Sequence, residues 1–128
     1  MTPESYNTTM GVVRTINEKL TSMHQLFVCE MGAKYVGDIN LPNVNSLEQY
    51  FYNSAICEVG NINAPKATTT NSMFYYYYGS FPEALTTVGD IYIPNASNCN
   101  QMFYARNELS SLGTITVNVP TTANSIFN

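Results

Sequence analysis

The residues that could support catalysis are few and scattered. His24 is the only histidine among 128 residues, so the chain can build neither a triad with a second imidazole nor a multi-histidine metal site. Cys29 or Cys57 could pair with His24 as a nucleophile, but no spacing favours that pairing. We therefore expect no catalytic residue, no metal site and no cofactor, and we interpret the chain as not an enzyme.

Two aspartates at equivalent positions could suggest a calcium-binding site. Asp38 and Asp90 occupy equivalent positions of a repeated pattern, with Asn61 between them. At about 4.8 Å per strand, the two carboxylates would lie about 10 Å apart, too far to share one ion. The sequence favours instead a solvated polar strand face with an asparagine hydrogen-bond ladder.

The three cysteines favour neither a disulfide framework nor a zinc site. Cys29, Cys57 and Cys99 contain no CxxC pair and fall at unrelated positions of the repeats. We expect reduced, mostly buried thiols.

Tyrosines give the clearest indication of a function. The chain has 10 tyrosines and no tryptophan, and four of the tyrosines, Tyr75 to Tyr78, are consecutive. Four consecutive side chains cannot all face a core, and tyrosine offers a large amphipathic contact area at low entropic cost. We predict a surface for a protein partner, with a glycan as the less favoured ligand; the alternative is that one or two of these rings pack back with Phe81 as a small core. The candidate partner-binding residues, on this segment and on the polar strand face, are Tyr75, Tyr76, Tyr77, Tyr78, Phe81, Asp38, Asn40, Asn61, Asn63, Asp90 and Tyr92.

A repeated pattern must position these residues. Gly37, Gly60, Gly89 and Gly113 lie 14 residues before Phe51, Phe74, Phe103 and Phe127, respectively, and the glycines are 23, 29 and 24 residues apart. This spacing is typical of leucine-rich repeats. It predicts an α/β solenoid, a short right-handed coil with parallel strands on one face and helical or 3₁₀ turns on the other.

The residues after each glycine predict a strand. Aliphatic side chains at the second and fourth positions alternate with polar ones, and a proline follows in three repeats. We expect four parallel strands in one sheet, in sequence order, over Gly37–Pro42, Gly60–Pro65, Gly89–Pro94 and Gly113–Val117.

Beyond the proline the apolar period changes. Val44, Leu47, Tyr50 and Phe51 have the spacing of helical turns, and the phenylalanine would fill each layer of the core. We expect a buried column of Phe27, Phe51, Phe74, Phe103 and Phe127.

Two segments depart from the repeat. Residues 75–84 form an insertion, which we expect to project as a loop. Residues 1–20 are either a degenerate first coil acting as a cap or an amphipathic helix, with helix over about Ile16 to Phe27 in both cases. Residues 21–128 would then hold four to five coils.

The third repeat resembles the BspA-like leucine-rich repeat, and the resemblance is clearest from Ile91-Tyr92-Ile93-Pro94 through Gln101-Met102-Phe103. In that family an aliphatic strand and a proline precede a helical turn that ends on a phenylalanine. The asparagine-rich turn resembles the phage and mobile-element branch of that family. The resemblance covers about residues 21 to 128 and implies a binding or structural module without catalytic residues.

The charge and hydropathy of the chain argue against two classes of partner, nucleic acids and membranes. Five basic residues and a net charge of −4 argue against nucleic acid, and no apolar run is long enough to span a membrane. No signal peptide is visible at the N-terminus. We expect a non-enzymatic structural or attachment component of a phage virion, assembled in the host cytoplasm, that binds through the tyrosine-rich loop and the polar strand face. The alternative is a bacterial surface adhesin recognising host protein or glycan.

The last repeat stops one residue after Phe127, and its layer is apolar. We expect another copy of the chain, or another protein of the assembly, to cover that end.

Overall fold

Short parallel strands dominate the structure. The computed structural model describes residues 12–13, 34–77, 84–118 and 126–127. Within these residues the strands are β1 (Val12–Val13), β2 (Tyr35–Val36), β3 (Ile39–Asn40), β4 (Glu58–Val59), β5 (Ile62–Asn63), β6 (Thr87–Val88), β7 (Ile91–Ile93), β8 (Ser111–Leu112) and β9 (Ile115–Val117).

The strands form two sheets, and both are parallel throughout the described part of the chain. One sheet has the order β3-β5-β7-β9, and the other has the order β1-β2-β4-β6-β8. The pairing register divides the chain into repeat 1 (34–56), repeat 2 (57–85), repeat 3 (86–109) and repeat 4 (110–127). Parallel pairing in sequence order is compatible with a β-rich repeat fold.

The prediction of parallel strands after each glycine, in one sheet and in sequence order, is confirmed by β3, β5, β7 and β9. The strands are shorter than predicted, since each begins two residues after its glycine and has two or three residues. Their side chains alternate as expected, since Ile39, Ile62 and Ile91 are buried while Asp38 and Asp90 are exposed. The β2-β4-β6-β8 strands were not predicted. In each of these strands an exposed or half-exposed residue precedes an inward-facing one, which is the buried Val36, Val59 or Val88 in the first three and the half-buried Leu112 in the last. This two-residue alternation is too short to stand out in the sequence.

The glycines separate the two sheets at a corner where successive repeats nearly touch. A Cβ added to Gly89 would lie 2.5 Å from Asn61 Oδ1 and 2.8 Å from the carbonyl carbon of Gly60. A Cβ added to Gly60 would lie 2.6 Å from Asp38 Oδ1. Both distances are below van der Waals contact, so the close approach of the backbones requires glycine.

The prediction of helical or 3₁₀ turns after the proline is wrong for the described residues, which contain no helix. Consecutive β-turns occur instead: Tyr50 N–H donates to Leu47 O at 3.2 Å, and Gln49 between them has a φ of 54°. Alternate N–H groups, including those of Gln49, Phe51 and Asn53, donate to carbonyls of repeat 2 at 2.6 to 3.0 Å. Since these donors bond to the next repeat, they are not available for a helix.

The phenylalanine column is confirmed for the inner repeats. The rings of Phe51, Phe74 and Phe103 are fully buried and stack with centroid separations of 4.9 and 5.0 Å. Phe127 continues the stack 5.5 Å from Phe103 but is 60% exposed, so its predicted burial is wrong. No described segment lies over its outer face. Phe27, and the helix expected over Ile16 to Phe27, lie outside the described residues.

Candidate functional site

The polar column after the glycines holds successive repeats together. Asp38 Oδ1 accepts the backbone N–H of Asn61 at 2.8 Å, and Asn61 Oδ1 accepts that of Asp90 at 2.9 Å. Asp90 Oδ1 in turn accepts the N–H of Thr114 at 2.9 Å. The three side chains are exposed, but each uses one oxygen within the fold. Their residue types are therefore explained by inter-repeat hydrogen bonding.

The next outward column of the same sheet is also cross-linked. Asn63 Nδ2 donates to Asn40 Oδ1 at 2.8 Å. Tyr92 follows in register after Asn63 and is itself followed by Thr116. Tyr92 is 49% exposed, so it is the one aromatic side chain that the polar strand face offers to a partner among the described residues.

A stack of tyrosines lies on the turn segments, directly after the phenylalanine column. Tyr52 and Tyr75 are parallel at a centroid separation of 5.0 Å, and Tyr75 and Tyr104 are parallel at 4.8 Å. All three rings are half-buried. They therefore form a rigid aromatic stripe across three repeats, with part of each ring accessible.

Tyr77 extends this stripe into the solvent. It is 61% exposed, and its backbone N–H donates to Asn53 Oδ1 at 2.9 Å, which fixes the position of its Cα. Burial raises the pKa of Tyr75, and the neighbouring phenols of Tyr52, Tyr104 and Tyr77 raise that pKa further. Because Tyr77 lies two residues beyond Tyr75 in the same repeat, we group it with the three stacked rings and name Tyr52, Tyr75, Tyr77 and Tyr104 the tyrosine surface.

Tyr76, one of the candidate partner-binding residues, is not part of the tyrosine surface. Its side chain is buried, and its N–H donates to Tyr104 O at 3.0 Å. Tyr75 and Tyr76 therefore keep the register of the repeats, and the irregular segment begins after Tyr76 rather than at residue 75. Tyr78 and Phe81, the other candidates on this segment, lie outside the described residues.

A buried arginine explains the position of Tyr76. The guanidinium of Arg106 lies 5.4 Å from the centroid of the Tyr76 ring. Arg106 Nε donates to Phe74 O at 2.7 Å, and another guanidinium nitrogen donates to Ser54 O at 3.1 Å. Arg106, from repeat 3, thus ties together the backbones of repeats 1 and 2.

Arg106 and two members of the tyrosine surface, Tyr52 and Tyr104, were not predicted from the sequence. Tyr52, Tyr75 and Tyr104 each follow the phenylalanine of their repeat, so aligning the repeats would have revealed the column. Arg106 has no such signal, because the equivalent positions are Ser54 and Tyr77.

Repeat 4 presents an apolar surface. Cys99, Met102, Ile115, Val117, Ile126 and Phe127 line an open cavity of about 200 Å³. Ile115 and Val117 are half-buried, whereas their counterparts Ile91 and Ile93 are buried beneath the following repeat.

Other chemistry is limited in the described part of the chain. Residues 34–77, 84–118 and 126–127 contain no group of three potential metal ligands, and Cys57 and Cys99 are free. His24 lies outside the described residues. No described helix is long and apolar enough to cross a membrane.

Comparison with known proteins gives no relative: no protein-family model, no curated protein and no solved structure matches this chain.

Proposed function

We propose that the repeats form a right-handed solenoid of the BspA-like leucine-rich-repeat type, and that the chain is a non-enzymatic structural or attachment component of a phage virion. The parallel, in-register pairing across the repeats supports the architecture. The resemblance of Ile91–Phe103 to the phage branch of that family supports the biological setting. In this proposal the chain acts by binding other virion proteins after synthesis in the host cytoplasm.

The observation that carries the proposal is the tyrosine surface. Tyr77 is 61% exposed beside three stacked rings that are held by the repeats beneath them. A partner that covers these rings would bury a large apolar area at little cost in side-chain entropy, because stacking has already ordered Tyr52, Tyr75 and Tyr104. Pre-ordered tyrosines with accessible edges are typical of protein contact surfaces.

The polar strand face is the weaker candidate. Asp38, Asn61 and Asp90 each use a side-chain oxygen to bond the next repeat. A partner bound there would compete with these bonds or rely on the remaining groups. We therefore assign binding to the tyrosine surface and inter-repeat cohesion to this column.

Incorporation into particles tests the proposal. Tyr77→Ser removes the most exposed ring of the tyrosine surface, and Tyr92→Ser, on the strand face, is the matched control. We expect the parent and Tyr92→Ser proteins in gradient-purified phage particles at equal copy number by quantitative mass spectrometry, and Tyr77→Ser at a tenfold lower level. Absence of the parent protein from particles would refute a virion role, and equal incorporation of Tyr77→Ser would refute the assigned surface.

A bacterial surface adhesin is the second candidate, and Tyr92 is the observation that favours it. An exposed ring among asparagine and threonine side chains offers stacking and hydrogen bonding to a sugar. In that case the protein would be found on bacterial cells, and Tyr92→Ser, rather than Tyr77→Ser, would abolish binding to a glycan array.

A further inference from the structure

The turn that follows the phenylalanine is closed in repeats 1 and 3 but open in repeat 2. In repeat 1, Ser54 N–H donates to Phe51 O at 3.3 Å, and in repeat 3, Arg106 N–H donates to Phe103 O at 3.1 Å. Tyr77 occupies the equivalent position of repeat 2, the third residue after the phenylalanine. Within the described residues its N–H makes no such bond to its own repeat. Repeat 2 therefore leaves the common backbone path at this turn.

The backbone conformation one residue earlier accounts for the difference. Asn53 and Ala105, the second residues after their phenylalanines, have φ of 53° and 58°. A positive φ at this place allows a four-residue turn to close with its hydrogen bond. Tyr76, at the equivalent place of repeat 2, does not have a positive φ. Closing the turn would require one, which is unfavourable for a bulky aromatic residue.

Side chains from the two neighbouring repeats replace the missing bond. Asn53 Oδ1, from repeat 1, accepts Tyr77 N–H at 2.9 Å. Arg106 Nε, from repeat 3, donates to Phe74 O at 2.7 Å. Tyr77 N–H and Phe74 O are the donor and the acceptor that a closed turn would join. Both groups are thus satisfied while the turn stays open, which avoids the cost of an unsatisfied backbone group.

The open turn changes the direction in which the third residue faces. Ser54 and Arg106, in the closed turns, are 1% and 5% exposed. Tyr77, at the same position of the open turn, is 61% exposed. Tyr76, the residue before it, occupies the buried site beside the Arg106 guanidinium. The exposure of Tyr77 therefore accompanies the exchange of one turn hydrogen bond for two bonds to side chains.

We propose that Asn53 and Arg106 are positioning residues of the tyrosine surface, which hold the turn of repeat 2 open and so present Tyr77 to the partner. This inference rests on the proposed function and deepens it, because it explains how Tyr77 is placed before binding. Both side chains are buried, so they act through Tyr77 rather than by touching the partner. A residue whose backbone is fixed in advance loses less conformational entropy when it binds.

Substitutions at position 53 separate the hydrogen bond from the backbone conformation. Asn53→Gly keeps the left-handed φ and removes the side-chain acceptor, whereas Asn53→Asp keeps an acceptor oxygen. Ala105→Gly is the matched control, because it introduces the same residue at the equivalent position of repeat 3.

Amide hydrogen exchange of the purified chain, followed by NMR, measures the effect on Tyr77. We expect Tyr77 N–H to exchange at least tenfold faster in Asn53→Gly, and at the parent rate in Asn53→Asp and in Ala105→Gly. Asn61 N–H, which donates to Asp38 Oδ1, is the internal reference for the fold and should exchange at the parent rate in all three variants.

Arg106→Met tests the other positioning residue. It removes the donor to Phe74 O and leaves that carbonyl to accept Tyr77 N–H. We expect the turn to close and the ring of Tyr77 to move inward. Nitration of Tyr77 by tetranitromethane, followed by mass spectrometry, should then slow at least threefold, while nitration of Tyr92 on the strand face should not change.

Incorporation into phage particles connects the positioning to binding. Asn53→Gly should enter particles at a tenfold lower level than the parent protein, as we expect for Tyr77→Ser. Asn53→Asp should restore incorporation, and Ala105→Gly should not affect it. A general loss of stability would not produce this pattern, because the two glycine variants make the same kind of backbone change.

Four outcomes bear against the proposal or its premise. Parent-rate exchange of Tyr77 N–H in Asn53→Gly would overturn the role of Asn53. Unchanged nitration of Tyr77 in a folded Arg106→Met protein would overturn the role of Arg106; if that variant does not fold, the variants at position 53 decide. Faster exchange with full incorporation of Asn53→Gly would show that the positioning does not serve binding. Absence of the parent protein from particles is instead a failure of the virion role, and the exchange measurement still decides whether Asn53 positions Tyr77.

Discussion

Several individual side chains in this protein bond to the backbone of another repeat, and some of them do so although they are exposed. Asp38, Asn61 and Asp90 are exposed, yet each holds the backbone of the following repeat through one oxygen. Arg106 is buried and bonds carbonyl groups of two earlier repeats. Tyr77 differs from these residues, because its ring is 61% exposed while the hydrogen bond that fixes its position comes from its backbone N–H. This contrast separates the residues that hold the repeats together from the one best placed to bind a partner.

The polar column gives a prediction about stability. Asp90→Ala removes the acceptor for Thr114 N–H and should lower the free energy of unfolding by about 0.5–1.5 kcal/mol, the usual contribution of such a bond. Asp90→Asn keeps an acceptor oxygen and should remain close to the parent. Urea denaturation of the three proteins checks this, and equal losses in both variants would show that charge, rather than the hydrogen bond, matters.

The buried phenols give a prediction about alkaline pH. Burial raises the pKa of Tyr50 above its ordinary value of 10.0, and burial together with neighbouring phenols raises that of Tyr75. The unfolded chain therefore releases these protons first. Their stabilising contribution is complete below about pH 10 and is lost as the pH rises further.

Thermal melts between about pH 8 and about pH 11 test this dependence. The melting temperature should fall above about pH 10, and it should fall less steeply for Tyr50→Phe, which cannot ionise. Parallel pH profiles for the parent and Tyr50→Phe would contradict the assignment to Tyr50.

At the level of elements, the repeat is built from two-residue strands and β-turns stacked on equivalent parts of the next repeat. The glycine corners permit close approach, and the phenylalanine rings fill the layers. Both features could be predicted from the sequence, because each repeat has a glycine 14 residues before a phenylalanine, as in Gly89 and Phe103. The turns could not, since apolar residues such as Val44, Leu47 and Phe51 have a helical spacing while their backbone donors alternate between the turn and the next repeat.

The phenylalanine column predicts that replacement by alanine lowers the free energy of unfolding by different amounts at Phe74 and Phe127. Phe74→Ala empties a fully buried site and should cost about 3–5 kcal/mol. Phe127→Ala affects a ring that is 60% exposed and should cost only about 1 kcal/mol. Chemical denaturation measures both, and similar losses at the two sites would mean that Phe127 is covered in the folded chain.

The glycine corner predicts a steric penalty. In Gly89→Ala, the new methyl group would lie 2.8 Å from the backbone of Gly60 in repeat 2, and backbone cannot rotate away as a side chain can. We expect a loss of at least about 1–3 kcal/mol, as for overpacking of a core. Thr114→Ala, one residue beyond the next corner, is the control and should be nearly neutral by thermal denaturation. A neutral Gly89→Ala would show that the repeats are further apart at this corner.

At the scale of the whole molecule, two described surfaces differ in character. The polar strand face joins the repeats through side-chain hydrogen bonds, and the tyrosine surface is the one to which we assign binding of a partner. The sequence predicted a tyrosine-based contact on Tyr75 to Tyr78 and Phe81, and the surface that we propose keeps Tyr75 and Tyr77 and adds Tyr52 and Tyr104. The run of consecutive tyrosines indicated one segment of the chain. The stack instead joins Tyr52 to Tyr75 and Tyr75 to Tyr104, which are 23 and 29 positions apart and become neighbours only when the repeats are aligned.

Photo-cross-linking from position 77 in phage-producing cells tests most directly our proposal of a virion role with binding through the tyrosine surface. A photoreactive phenylalanine analogue replaces Tyr77 in one variant and Tyr92, on the strand face, in another. The account predicts that position 77 cross-links to a second virion protein in purified particles and that position 92 does not. Cross-links from position 92 alone, or from neither position in particles that contain the protein, would contradict it.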